Sequence, residues 1–250
     1  MKRKSNSPEI TIIGCGTPTP LPDRFGSSYV IDIEGEKLLF DCGPATTWKL
    51  IKAGISPTEI NSVFFTHHHF DHDADFPTFI LTRWDQIVPK DRLLKVYGPT
   101  MTEEFTRGII DEDTGLFAHD WKARIGHSAS QVTYLDRGGI LPRSKPLVSA
   151  ANKGPGLITT GESWQVTAAE AEHVQPFLDS LAYRIDTDEG SVVVTGDTAP
   201  CESINKLYKG ADVLMMMCWD SHDKMEGTEH EKASSSIKSA SETAAEANVK

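Results

Sequence analysis

Short apolar runs separated by turns rich in Gly and Pro dominate the first quarter of the chain. Ile10 to Ile13, Ser28 to Ile33 and Lys37 to Phe40 read as strands by their β-branched and aromatic content. Thr46 to Ala53 predicts a short helix, and Val63 to Thr66, closing a β-like run from Ile60, predicts a buried strand. Phe76, Phe79, Ile80 and Ile87 fall near helical spacing, with Pro77 suited to a first turn. Leu93 to Tyr97 is a further strand, stopped by Gly98-Pro99, and Met101 to Ile110 a further helix. Residues 115–161 show no steady period. Within them, 137–161 is rich in Gly and Pro and holds Arg137, Arg143, Lys145 and Lys153 with no acidic residue, which predicts a loop or arm over the surface.

Regular patterning returns at Trp164 to Ala168, Ser180 to Ile185 and Ser191 to Thr195, three predicted strands, followed by a short helix over Ile204 to Lys209. Asp212 to Met217 predicts an apolar strand whose methionines, Met215, Met216 and Met217, fill core. Beyond His230, the recurrence of Ala233, Ile237, Ala240, Ala244 and Ala247 predicts a helix with a thin apolar stripe. In an α/β layout such a helix feeds a strand. The expectation is therefore a chain cut from a longer protein, with that strand beginning just after Lys250.

Length and composition change this picture little. A chain of 250 residues, 38% hydrophobic, suffices for one domain spanning 1–250. Its formal charge of −11 repels nucleic acid over most of its surface and gives no reason to expect membrane attraction. The apolar run Ile10-Thr11-Ile12-Ile13 is too short for a secretory signal, and no stretch approaches a membrane span. Cys15, Cys42, Cys201 and Cys218 match no zinc-ribbon spacing, so reduced thiols in a cytoplasmic protein are expected.

The chemistry concentrates in Thr66-His67-His68-His69-Phe70-Asp71-His72-Asp73, four histidines and two carboxylates in eight residues after a predicted strand. Zinc above all takes neutral imidazole and carboxylate oxygen as ligands. On an extended segment His67 and His69 share a face and His68 turns away, while Asp71 and His72 follow where the chain bends towards a helix. That layout suggests two metal positions. His173, in Ala171-Glu172-His173-Val174, and Asp197, in Gly196-Asp197-Thr198, stand beyond later strands and could complete them. Taken singly, His173 reads as a surface histidine and Asp197 as a turn aspartate. Asp41, at another strand end, could orient a metal-bound histidine or the bridging water from behind, or serve merely as a turn cap.

These residues resemble the metallo-β-lactamase superfamily, and within it the branch containing the tRNA 3′-processing endonuclease, ribonuclease Z. The resemblance rests on Gly14-Cys15-Gly16-Thr17, Leu38-Leu39-Phe40-Asp41-Cys42-Gly43, the histidine cluster, His173 followed by Ser180 to Ile185, and Gly196-Asp197-Thr198. It implies an α/β fold, a four-layer αββα sandwich lacking its C-terminal strand here, with a dinuclear site at one edge of the paired sheets. By the same resemblance His67, His69 and His173 would hold a first zinc, Asp71 and His72 a second, and Asp197 would bridge both. The family's last ligand, a histidine on the strand expected after Lys250, leaves the second site incomplete. The family's catalytic histidine falls where this chain has Ser234-Ser235-Ser236.

Two zincs sharing a water would generate hydroxide near neutral pH. Asp71, Asp197 and, by its chemistry alone, His230 are the candidate catalytic groups, and Trp219 a candidate pocket wall. The acidic charge and the departures from the endonuclease pattern favour a small ester or lactone as substrate. A phosphodiesterase or a ribonuclease Z-like endonuclease acting on tRNA precursors is the alternative, and a non-catalytic binding module the third reading. A homodimer is the expected assembly.

Overall fold

Val63, Phe64 and Phe65 show how this sequence builds its layers. Their side chains alternate across one strand, yet all three are fully buried, as happens only where a sheet is covered on both faces. The computed structural model of the chain describes residues 7–89 and 91–249. The charged start, Met1 to Asn6, and Lys250 lie outside the described residues.

Among the described residues the strands form two sheets. In the first, β1 (Glu9–Gly14), β2 (Ser28–Ile33), β3 (Glu36–Phe40), β4 (Ile60–Phe64), β5 (Leu94–Gly98) and β6 (Val148–Asn152) lie in chain order. The β1–β2 and β2–β3 pairs are antiparallel, and the remainder parallel. The second sheet joins β7 (Gly156–Thr160), β8 (Trp164–Glu170), β9 (Leu181–Thr187) and β10 (Gly190–Val194) as antiparallel neighbours, with β11 (Val213–Met215) parallel to β10.

The helices are α1 (Thr46–Lys52), α2 (Phe70–Asp73), α3 (Phe76–Gln86), α4 (Thr102–Ile110), α5 (Ala118–Gly126), α6 (Ser128–Asp136), α7 (Glu202–Leu207), α8 (His222–Met225) and α9 (Ile237–Glu246). Between the sheets, Ile31, Leu38, Phe40 and Phe64 meet Val166, Leu181, Tyr183, Ile185 and Val192. There Phe40 and Phe64 stack at 4.8 Å, and the Tyr183 ring meets Phe64 edge-on at 5.7 Å. Outside the first sheet, Leu39, Val63, Phe65 and Val96 pack on Leu50, Phe76, Phe79, Ile80 and Ile109 from α1, α3 and α4. Outside the second, Ala182 and Val193 pack on Ile204, Tyr208 and Ala247. The layers thus run helix, sheet, sheet, helix, the αββα sandwich expected.

Three expectations need correction. The supposed loop or arm over 137–161 contains β6 and β7, which close one edge of each sheet. Edge strands bury half a face, and β6 (Val-Ser-Ala-Ala-Asn) carries too little apolar area to show a period. The aperiodic stretch before it holds α5 and α6, anchored by few residues: Ala118 and Trp121 pack on Trp84, and Tyr134 is buried farther along. Met215, Met216 and Met217 are only half-buried, because β11 is a three-residue edge strand. Among the described residues no helix is long and apolar enough to cross a membrane. All four cysteines are free thiols, Cys42 and Cys201 buried, Cys15 and Cys218 exposed.

Gly196, between β10 and Asp197, has φ of +60°, and a Cβ there would lie 2.5 Å from the Thr66 side chain. Gly196→Ala should therefore cost about 2–4 kcal/mol, from left-handed strain plus overpacking. A melting temperature lowered by about 5–10 °C is expected. Unchanged melting would show that the Thr66–Gly196 contact is slack.

Candidate metal centre

The loops leaving β3, β4, β8 and β10 converge at one edge of the sandwich. Leu181 N, at the start of β9, donates to Thr66 O at 2.8 Å and ties the second sheet to the segment that leads into His67. From these loops come Asp41, the run Thr66 to His72, His173 and Asp197.

Three imidazole nitrogens face one point. His67 Nε2 lies 3.0 Å from His69 Nδ1, and His173 Nε2 lies 3.3 Å from the same atom. Nitrogens tetrahedrally arranged at zinc-like bond lengths sit about 3.3 Å apart, so the spacing fits one ion. The opposite ring atoms agree. His173 Nδ1 is 2.6 Å from Ala233 O. A carbonyl only accepts, so Nδ1 carries the proton and Nε2 keeps its lone pair.

His67, His72 and Asp197 form a second group whose ligand atoms lie within 4.8 Å of one another. His72 Nε2 is 3.5 Å from Asp197 Oδ1 and 3.6 Å from Asp71 Oδ2. Its Nδ1 donates to Asp41 Oδ2 at 2.7 Å. Asp71 Oδ1 is buried without a hydrogen-bond partner, a cost that a cation beside it would relieve. The resemblance placed His67 with the first metal alone, whereas here it touches both groups. Asp71 stands at the margin of the second group rather than inside it.

The electrostatics favour neutral imidazoles at His67 and His69 but not at His72. Burial and the neighbouring imidazoles of His72, His173 and His69 hold His67 well below the ordinary histidine range. Burial and His173 lower His69. Burial also opposes charge on His72, but Asp41 and Asp197 outweigh it and raise His72 well above that range. Burial raises Asp71. In Asp197 burial acts upward too, and His72, His173 and His69 together bring it below the usual carboxylate value.

His68 turns away from both groups: Nδ1 meets Asp73 Oδ2 at 3.1 Å and Nε2 meets Thr102 Oγ1 at 2.8 Å, linking α2 to α4. His230 joins neither group. It is exposed, and its ring stacks on Trp219 at 5.7 Å. Sequence reasoning missed Thr66, whose Oγ1 lies 2.9 Å from Asp41 Oδ2 and 3.1 Å from His67 Nδ1. Its place directly before the cluster was the available signal. It also missed the Ala233 carbonyl, which no side-chain pattern can announce.

A family model described as the metallo-beta-lactamase superfamily matches residues 21–236. Ribonuclease Z of Mycobacterium bovis (strain BCG / Pasteur 1173P2) is 30% identical over 208 residues, covering 83% of this chain and 69% of that protein. Among solved structures, human tRNase Z, short form, superposes with a TM-score of 0.69 at 22% identity, covering 96% of this chain and 89% of that one. The metallo-beta-lactamase fold protein YhfI from Bacillus subtilis superposes with a TM-score of 0.68 at 20% identity, covering 97% and 82%.

Two outcomes are expected on titration with zinc. Asp41→Asn should weaken binding about 10–100-fold, since it removes the negative charge facing His72 and turns one of the two accepting oxygens into a donor, whereas His68→Gln should leave binding stoichiometry unchanged. Calorimetry would show either failing. Cation binding must also displace a proton from His72, whose pKa is raised, but not from His67 or His69, whose pKa values are lowered. Raising the pH from about 6 to about 8 should therefore strengthen the second equivalent more than the first. Equal pH dependence of the two would contradict this.

Proposed function

The chain belongs to the metallo-β-lactamase superfamily and is a hydrolase of that fold, and we propose that the bond it cleaves is a phosphodiester. The observation that carries this reading is its likeness to ribonucleases Z, at 27–30% identity over 83% of the chain. That likeness outweighs the small ester or lactone favoured by charge and by the departures from the endonuclease pattern. Both substrate classes use the same donor set, so the ligand geometry alone does not choose between them.

In this reading His67, His69 and His173 would hold one zinc, and His72 and Asp197, with Asp71 beside them, a second. Zinc bound there would supply a water activated near neutral pH and Lewis-acid polarisation of a phosphoryl oxygen. The chain's own groups keep the donors in the required state. Ala233 O holds the proton on His173 Nδ1, and Asp41 holds the one on His72 Nδ1. Thr66 Oγ1 bridges Asp41 and His67, so the carboxylate that orients His72 is also tied to His67. Asp197, held below the usual carboxylate value by His72, His173 and His69 against the upward pull of burial, brings negative charge to the imidazole cluster.

The test is a substrate panel run on zinc-loaded protein, with and without EDTA. Bis(p-nitrophenyl) phosphate, precursor tRNA, an aryl ester and a lactone suffice. Phosphodiester cleavage, abolished by EDTA and restored by zinc, is the expected result. Turnover of ester or lactone with both phosphodiesters untouched would overturn the proposal, and no turnover at all would favour a binding module.

A further inference from the structure

Three of the segments that carry or brace the candidate ligands also leave an aromatic ring in solvent. Phe70 directly follows His69 and is 59% exposed. Phe177, four residues beyond His173, is 87% exposed, and Trp219 is 41% exposed. Exposed rings scattered singly would mean little, but Trp219 is held in place. Its backbone N donates to Ser235 O at 2.9 Å, and Ser235 Oγ donates to Thr198 O at 2.8 Å, one residue from Asp197. Ala233, whose carbonyl accepts from His173 Nδ1, donates its own N to His230 O at 3.2 Å. The His230 imidazole then lies against the Trp219 indole, centroids 5.7 Å apart and planes 19° from parallel. Indole and imidazole thus form an offset stack, braced through hydrogen bonds to the segments of His173 and Asp197.

Charge says what such a unit is for. With a net charge of −11, this chain is poorly equipped to hold a phosphate backbone by counterion release. A nucleotide substrate would need an uncharged grip. Stacking of a base on an aromatic ring supplies one, tolerant of sequence and with no charge pair for salt to screen.

Resting on the phosphodiesterase reading, we propose that the Trp219–His230 stack is a platform for the nucleobase adjoining the scissile phosphodiester. Phe70, at the start of α2 beside His69, and Phe177, beyond His173, are further exposed rings for the flanking group. The substrate is then a nucleotidic phosphodiester rather than a simple alkyl one, and His230 serves as a brace for the indole.

The experiment compares AMP with ribose 5-phosphate, which differ only in the base, as ligands of the zinc-loaded protein by calorimetry. AMP should bind roughly ten-fold tighter or more, with the ratio holding between about 50 and about 200 mM salt. Trp219→Leu should bring AMP down to the affinity of ribose 5-phosphate, and Trp219→Phe should keep most of the gap. If the Leu variant does not fold, quenching of tryptophan fluorescence by AMP, present in the unaltered protein and lost in Trp219→Phe, reads the same contact. Equal binding of the two ligands, or a folded Leu variant that keeps the gap, overturns the platform. Phosphodiester turnover with no base-dependent gap would overturn the platform while leaving the phosphodiesterase reading standing. Ester or lactone turnover alone would overturn both.

Discussion

A single carboxylate with no exposure to water, Asp41, is the constraint on which the rest of this centre depends. A charge buried so deeply must be met on every side by donors. Thr66 donates to it from both backbone N and Oγ1, Ser27 from its hydroxyl and His72 from Nδ1. These partners stand at or just beyond the ends of β2, β4 and α2, so one side chain joins three segments. Asp41 itself has φ of +57°, in a region that aspartate tolerates better than most residues. The turn that aims the carboxylate inward is thus bought with local backbone strain. Gly43, two residues on, lets this turn approach α2: a Cβ there would lie 2.0 Å from Asp71 O.

The sandwich explains why the donors meet where they do. β3 and β4 are parallel neighbours, and β8 and β10 share a direction because each is antiparallel to β9. Their C-terminal ends therefore open onto one edge. The aromatic packing of Phe40, Phe64 and Tyr183 fixes the spacing of the sheets just beneath that edge, and Tyr183 Oη donates to Phe65 O at 2.7 Å. Donors from two sheets thus reach common points without a long loop, and rigid strands hold them within the tolerance that metal binding requires.

Much of this was legible in the sequence, for identifiable reasons. The central strands β2, β3, β4, β9 and β10 are buried on two faces, so their apolar runs announce them. The histidine run could be placed at a strand end, and strand periodicity alone turned His67 and His69 together and His68 away. The edge strands β6 and β7 were hidden because a half-exposed strand needs little apolar area, and Gly and Pro around them imitate a loop. The triple methionine misled because apolar composition does not say whether a strand is central or peripheral. The stacking of His230 on Trp219 depends on a meeting of two loops that no local pattern encodes.

His67, His69 and His173 face one point suited to a metal ion, and His72 and Asp197, with His67, face a second. Anomalous diffraction at the zinc edge, on crystals of the zinc-loaded protein, tests this arrangement most directly. Two peaks are predicted: one among His67 Nε2, His69 Nδ1 and His173 Nε2, the other bounded by His72 Nε2 and Asp197. A peak elsewhere, or none between His173 and the His67–His69 pair, would contradict the account.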